Sequence, residues 1–409
     1  MQGHAKFDWF AGGVAAPAGF SAAGIQAGIK KGKKGKKDMA LIVADRPSVA
    51  AGVFTINSVK AAPVILCRQH LQKSRSAQAI IVNSGNANAC TGRKGLTDAE
   101  SMAATTGAAL NINPALVLVC STGTIGLPLP MQKIESGIRR AVNSLSRNGG
   151  NEAARAIMTT DTIPKQVAVR LRLGGKKVTI GAMAKGAGMI APNMATLLVF
   201  ITTDAFLEYS ALQEALSSAV AMSFNRILVD GDQSTNDTVL CLANGLAGNK
   251  PMTKTRPDWA TFKSALTAVC QKLAYKIVKD GEGVTKVVKI VVKGGKNQTE
   301  AEKVARSIAR SLLVKTSWFG ADPNWGRVIC AVGYSGAEIV PDKISIHYNS
   351  QAAVINGKSA GLSPDKLHKI ISGKEFTIEV NLRQGKASYS MLTCDCSLEY
   401  VRINADYMT

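Results

Sequence analysis

The segment Val167-Ala-Val-Arg-Leu-Arg-Leu173 alternates along its length, is closed by Gly174-Gly175, and is followed by Lys177-Val-Thr-Ile-Gly-Ala-Met183. A period of two sends alternate side chains to opposite faces of a sheet. Paired glycines supply the backbone that a tight hairpin turn needs. The chain is therefore committed to antiparallel sheet at its centre. Lys185-Gly-Ala-Gly-Met-Ile-Ala-Pro-Asn-Met-Ala-Thr196 follows and reads as a loop from its Gly and Pro content. It feeds into the apolar run Leu197-Leu-Val-Phe-Ile201, a buried strand.

Other strands are expected at 40–44, 79–83, 115–120, 238–243 and 284–292. One helix is expected to start at the N-cap signal Thr97-Asp98 and reach Leu110, and another to cover Met131 to Val142. Leu212, Leu216, Val220 and Phe224 mark a helix face, as do Phe262, Leu266, Val269, Leu273 and Ile277. A last helix is expected over 301–313. No repeat, low-complexity linker or domain break interrupts the series. The pattern implies an α/β fold, a layered arrangement of mixed β-sheets and helices with many antiparallel pairs.

The composition excludes several functions. No apolar run approaches the ~18–20 residues a membrane helix needs. The first residues lack a signal-peptide apolar stretch, which points to the cytoplasm. Eight cysteines are scattered, mostly in apolar runs, as buried thiols in a reducing compartment are. Cys394-Asp-Cys396 has the wrong spacing for a zinc knuckle. The four histidines lie far from other ligands, so no metal is expected. Net charge is +22, concentrated in Lys30-Lys-Gly-Lys-Lys-Gly-Lys-Lys37. That run reads as a solvated loop. Nucleic-acid binding is not expected, because no aromatic interleaving accompanies the charge.

The 185–196 loop contains Gly186-x-Gly188-x-x-Ala191, a dinucleotide-type spacing, but a strand and not a helix follows it, so the fingerprint fails. The same loop suits different chemistry. A threonine freed at a chain start has a hydroxyl beside its own α-amine, with a reference pKa of ~7.7–8.0, and needs no histidine as base. Thr196 becomes such a residue if the Ala195–Thr196 bond breaks. Ser121-Thr-Gly-Thr-Ile-Gly126 ends an expected strand with hydroxyls and N–H groups able to converge on an oxyanion. Val229-Asp-Gly-Asp-Gln-Ser-Thr-Asn-Asp-Thr238 lacks calcium-loop spacing and reads as a turn network. In Asp280-Gly-Glu-Gly-Val-Thr-Lys286, Gly281 reads as a helix C-cap and Glu282 as a loop carboxylate.

Taken together, these stretches resemble the ornithine acetyltransferase family, also called bifunctional glutamate N-acetyltransferase. The resemblance runs through 83–92, Ser121-Thr-Gly123, Met158-Thr-Thr-Asp-Thr162, 185–196, Ser223-Phe-Asn-Arg226, 230–238, Gly281-Glu-Gly283, 319–327 and 403–409. Two departures touch no catalytic group: Ala187 stands where Ser is commoner, and the lysine-rich run is long.

The resemblance implies self-cleavage into chains 1–195 and 196–409, two copies of each assembling, in a fold like that of N-terminal-nucleophile hydrolases. It implies that Thr196 takes an acetyl group from N-acetylornithine and passes it to glutamate, with no cofactor. Acetyl-CoA is left open as a further donor. Thr122 and Gly123 correspond to the oxyanion hole. Thr159, Lys185, Thr196, Glu282, Asn404 and Thr409 correspond to substrate contacts, with Thr159 preferred to Thr160 on its spacing to Lys185. The rival enzyme is a self-processing amidase or aminopeptidase that passes the acyl group to water.

Overall fold

The computed structural model describes residues 7–30, 35–191 and 197–406. Nine strands, in chain order, form the first sheet: β1 (Asp8–Phe10), β2 (Phe20–Ile25), β3 (Met39–Phe54), β4 (Ser76–Asn86), β5 (Val117–Thr124), β6 (Lys165–Leu173), β7 (Lys176–Lys185), β8 (Leu198–Thr203) and β9 (Thr238–Ala243). Their spatial order is β1-β6-β7-β8-β9-β3-β4-β5, with β2 also on β3. The expected hairpin is β6–β7, paired from Lys165↔Ala184 to Leu173↔Lys176 around Gly174 and Gly175, both with positive φ.

β3 bends this sheet into a sandwich. Its first half pairs with β2 and β4, the register shifts between Val43 and Ser48, and its second half pairs with β9. The two halves of the sheet face each other across one core, where Ile42, Ile80, Val82 and Leu118 of one half meet Met183, Leu198, Phe200 and Leu240 of the other. The opposite faces bury helices. α2 (Gly92–Leu110) and α3 (Met131–Asn143) cover Leu41, Ile81 and Val119. α5 (Tyr209–Ala221) and α6 (Pro257–Lys279) cover Val199, Ile201 and Cys241. Successive residues of β4 and β8 thus enter different cores, which is why these strands read as unbroken apolar runs. α1 (Ala62–Ser74) and α4 (Gly150–Ala156) close the sides.

The second sheet holds β10 (Val287–Gly295), β11 (Ser345–Tyr348), β12 (Gln351–Ile355), β13 (Lys358–Ser359), β14 (Glu375–Asn381) and β15 (Ala387–Cys394), in the order β13-β12-β11-β14-β10-β15. Helices α7 (Gln298–Arg310), α8 (Leu312–Phe319), α9 (Trp325–Gly333) and α10 (Pro364–Ile371) accompany it around a core containing Trp318, Ile346 and Phe376. α11 (Leu398–Asp406) returns to the first sheet's active end.

Several element boundaries differ from the sequence reading. α2 begins at Gly92, because Asp98 is not a cap: its carboxylate is taken by Lys94 one turn earlier, at 2.8 Å. The helix expected over 301–313 is two helices. Ser311 is extended and its side chain accepts from Val314 N–H, so it ends α7 and caps α8. β5 starts at Val117 after a 3₁₀ turn over Pro114–Leu116, and β10 starts at Val287. Gly281 is not the left-handed cap; Gly283 has the positive φ, +66°, and packs against Tyr400 N and Ser397 Oγ.

Among the described residues no helix is long and apolar enough to cross a membrane, and no cluster of His, Cys, Asp and Glu is arranged to hold a metal. Five thiols (67, 120, 241, 270 and 394) are buried, and none is paired in a disulfide.

Candidate active site

β4 and β5 run parallel, so their C-terminal ends arrive together, and a bulge at Gly85/Asn86 disturbs the pairing there. Gly123 sits against that bulge with φ +131°. A Cβ would lie 2.4 Å from the carbonyl carbon of Gly85, so the position demands glycine on both conformation and space. Asparagines hold the bulge. Asn83 accepts from Ser121 Oγ at 2.5 Å and donates to Asn86 O at 2.8 Å, while Asn86 donates to Leu127 O and Pro128 O. Asn236, from the segment before β9, donates to Ala87 O at 2.6 Å and Ser121 O at 2.9 Å. These bonds tie the corner to β4, to the segment after β5 and to the segment before β9. Thr122 is 4 % exposed, and its hydroxyl makes no hydrogen bond among the described residues.

Lys185 ends β7, and its partner in register is Leu198, the first residue of β8. The side chain is buried and makes no hydrogen bond or ion pair among the described residues. Burial lowers its pKa, and Asp161 opposes this. Behind it lies a fully satisfied network. Lys165 is 0 % exposed and joins Asp161, at 2.6 Å, to Asp280. Asp161 also accepts from Gly186 N–H at 2.7 Å and Thr159 N–H at 3.0 Å. Asp280 accepts from the Thr162 backbone N–H and hydroxyl. Burial alone would raise Asp161, yet Lys165 and Lys185 hold it at about 2. A depressed carboxylate stabilises the fold above its ordinary value of 3.8 and loses that contribution as pH falls through 2. Thermal melts of the wild type should therefore fall between about pH 4 and pH 2. Asp161→Asn should melt lower at neutral pH, by about 3–5 kcal/mol for breaking a buried pair, and respond less to pH in that window. An unchanged pH response would remove Asp161 from this role.

Glu282 is not an exposed loop acid. It is 9 % exposed, its N–H donates to Ala187 O at 3.0 Å, and its carboxylate accepts from Asn404 of α11 at 2.9 Å. Gly188 gives it room, since a Cβ there would lie 2.4 Å from Glu282 Oε2. The 186–191 glycines thus make way for a carboxylate and not for a pyrophosphate. Asp230 holds the same loop by accepting from Met189 N–H at 2.6 Å and Ile190 N–H at 2.8 Å, and burial raises its pKa.

Thr122, Gly123, Thr159, Thr160, Lys185, Glu282 and Asn404 all line one pocket of about 310 Å³. Both Thr159 and Thr160 reach it. Thr196, the Ala195–Thr196 bond and Thr409 lie outside the described residues. Leu197, the next residue in the chain, is 1 % exposed and donates its N–H to Asp237 Oδ1 at 2.9 Å. Asp237 is 0 % exposed, burial pushes its carboxyl well above the usual range, and its Oδ2 has no partner among the described residues. Sequence reasoning gave no site role to Asp237, Asp230, Asn236 or Tyr400, of which the last three line the pocket. The unusually polar 229–238 stretch was the available signal. It is a turn network, as expected, but one that also forms pocket wall. The 319–327 stretch contributes nothing to the lining.

The lysine-rich run departs from its expected solvated state at both ends. Lys30 donates to Lys37 O and Met158 O, each at 2.8 Å, and Lys37 donates to Gly24 O and pairs with Glu152. Residues 31–34 lie outside the described set.

The chain matches the model of the ArgJ family over residues 21–409. It is 49% identical over 402 residues to the arginine biosynthesis bifunctional protein ArgJ of Symbiobacterium thermophilum, covering 98% of this chain and 100% of that one. The Bacillus subtilis protein of the same name is 43% identical over 398 residues, 97% of each chain. A crystal structure of ornithine acetyltransferase complexed with ornithine, from Mycobacterium tuberculosis, is 44% identical. It covers 47% of this chain and 100% of the solved one, with a TM-score of 0.43.

Proposed function

This chain belongs to the ArgJ family of arginine biosynthesis, and from that premise we propose that it carries an acetyl group from N-acetylornithine to glutamate on the hydroxyl of Thr196. It is an acetyltransferase of the arginine pathway, with the glutamate N-acetyltransferase and amino-acid N-acetyltransferase activities of a bifunctional enzyme. The observation that supports the mechanism is the meeting in one small pocket of a buried lysine, a carboxylate and a hydroxyl–glycine pair, the lysine standing opposite Leu198 in the sheet.

Cleavage of the Ala195–Thr196 bond begins with attack of the Thr196 hydroxyl on the preceding carbonyl, and water opens the resulting ester. The freed α-amine then takes the hydroxyl proton as Thr196 attacks the acetyl carbonyl. The C–N bond to ornithine breaks, and the departing nitrogen receives that proton. The α-amine of glutamate next attacks the ester, and the Thr196 oxygen leaves with a proton returned from the base. The Thr122 hydroxyl and Gly123 N–H stabilise the oxyanion at each tetrahedral stage. Lys185 takes the substrate carboxylate, Glu282 an ammonium group, and Thr159 and Asn404 polar atoms around them. Thr409 is assigned to the substrate side. The fragments 1–195 and 196–409 stay together as one unit, two of which pair. N-acetylornithine and glutamate are the partners, no resident cofactor is needed, and the reaction belongs in the cytoplasm.

The test compares ornithine release with and without glutamate, and reads the intact mass of fragment 196–409 after exposure to N-acetylornithine alone. An acetyl increment on that fragment and glutamate-dependent turnover are expected. Ornithine release that ignores the amine acceptor would instead indicate the amidase chemistry. Lys185→Met should lower kcat/KM by about 10- to 100-fold, the range for a hydrogen bond to a charged group, mainly through KM. Its melting temperature should change little, because relieving the burial of the ammonium offsets the loss of its attraction to Asp161. An unchanged KM for the carboxylate substrates would overturn the assignment.

A further inference from the structure

Thr122 and Thr196 belong to opposite halves of the first sheet. β5 carries Thr122, Thr196 lies two positions before β8, and β9, β3 and β4 separate those two strands in the sheet. Because β3 bends, the halves face each other across a core that holds Val82, Leu118, Leu198 and Phe200. Apolar packing of this kind is non-directional. It brings the halves together without fixing one strand end against the other. Acyl transfer demands that fixing, since a misplacement of about 1 Å costs on the order of 10²-fold in rate.

Two consecutive buried side chains supply a directional link. Asn236 donates to Ser121 O at 2.9 Å, and that carbonyl belongs to the peptide group leading into Thr122. Asp237 accepts from Leu197 N–H at 2.9 Å, and that N–H belongs to the peptide group leading out of Thr196. One dipeptide thus grips an amide attached to each of the two residues. Leu197 is held on its other side as well, where its carbonyl accepts from Thr238 N–H at 3.1 Å. The dipeptide is itself anchored. Asp237 O accepts from Thr55 N–H at 2.9 Å, just past the end of β3, and Asn236 O accepts from the Thr238 hydroxyl at 2.9 Å. Asn236 lines the pocket, yet its amide is spent within the protein: Nδ2 donates to Ala87 O and Ser121 O, and Oδ1 accepts from the Thr235 hydroxyl at 2.6 Å.

We infer that Asn236 and Asp237 are positioning residues, which together hold Thr196 in register with the oxyanion donors Thr122 and Gly123. The inference rests on the reading of Thr196 as the nucleophile. Neither side chain is needed to bind a substrate: Lys185 and Glu282 are the charged groups assigned to that task. The pair acts on the geometry of attack, so its loss should lower kcat and spare KM. Asn236 acts through the peptide group before Thr122. Its contribution should therefore shrink once the Thr122 hydroxyl is removed. Asp237 acts by accepting one hydrogen bond, a task that an amide oxygen performs equally well.

The experiment is a double-mutant cycle of Asn236→Ala with Thr122→Ala, read as transfer from N-acetylornithine to glutamate. Asn236→Ala alone should lower kcat by about 10- to 100-fold, with both KM values within about twofold. In the Thr122→Ala background it should cost less than about threefold. A residue that merely supports the fold would cost the same in both backgrounds, so additive losses overturn the inference. The cycle is read on the rate of self-cleavage for any set of chains that stays uncut. Asp237→Ala tests the second grip. It should slow self-cleavage, followed as the uncut fraction on a denaturing gel, and transfer, each by about tenfold or more. Asp237→Asn keeps an oxygen for Leu197 N–H and should bring both rates to within about threefold of the wild type. An asparagine variant as slow as the alanine variant would mean that the carboxyl works through its charge or proton, and would also overturn the inference. Failure of the Thr196 reading is separately visible in the wild type, as transfer without an acetyl increment on fragment 196–409. With that increment present, additive losses count against the positioning pair alone.

Discussion

A Thr196→Ala chain is expected to run on a denaturing gel as one uncut polypeptide and to transfer no measurable acetyl group, where the wild type gives fragments 1–195 and 196–409. In the proposed mechanism one hydroxyl is used twice: it attacks its own preceding carbonyl to break the chain, and the break exposes the amine that activates it for every later substrate. Removing a covalent nucleophile in a comparable acyl-transfer site costs on the order of 10⁶ in kcat. Thr196→Ser keeps the hydroxyl and should still cut, which separates chemistry from misfolding. A wild type that remains a single uncut chain and is fully active would sink the mechanism.

Thr122→Ala should lower kcat by about 10²–10³ and leave KM nearly unchanged, because an oxyanion donor acts mainly in the transition state. The Thr122 hydroxyl holds nothing else among the described residues, so the variant should melt with the wild type. Gly123→Ala differs in kind. Its φ of +131° and the 2.4 Å approach to Gly85 mean that a methyl group must displace the β4 bulge. That variant should lose activity to at least the same degree and lose stability as well. Steady-state kinetics paired with melting curves distinguish the two cases. A Thr122→Ala enzyme with full kcat would take the oxyanion role away from this strand end.

Much of this was legible locally. The alternating 167–173 run, its glycine pair and the apolar 197–201 run are governed by neighbours in the chain, and the hairpin and β8 follow from them. Local motifs likewise singled out Thr122, Gly123 and Glu282, the family resemblance added Lys185 and Asn404, and the fold gathers all five around one pocket from β5, β7, the α6–β10 loop and α11. What was not legible depends on contacts between distant segments. Lys165 begins an alternating strand and looks solvent-facing, yet its two carboxylate partners come from a turn before it and from the end of α6. Asp237 looks like one more turn residue until its burial beside Leu197 is known. The bend in β3 depends on a register shift that no periodicity reports. Gly188 was visible as a glycine, but its reason is a carboxylate 94 positions further along the chain.

The strand order has a consequence for a molecule divided at the proposed bond. β8 and β9 come from residues after position 196, and they lie between β7 and β3, which come from residues before it. A break before Thr196 thus does not produce two bodies meeting at a surface. It produces two threads woven through one sheet, with the Lys185–Leu198 rungs still bridging the gap. Parting them means peeling β8 from β7 and β9 from β3 and opening the cores on both faces. The lifetime of the pair should therefore equal the unfolding time of the whole, so that dilution alone does not separate the fragments. A mixture of isotopically labelled and unlabelled enzyme should exchange fragments only under conditions that also melt the fold.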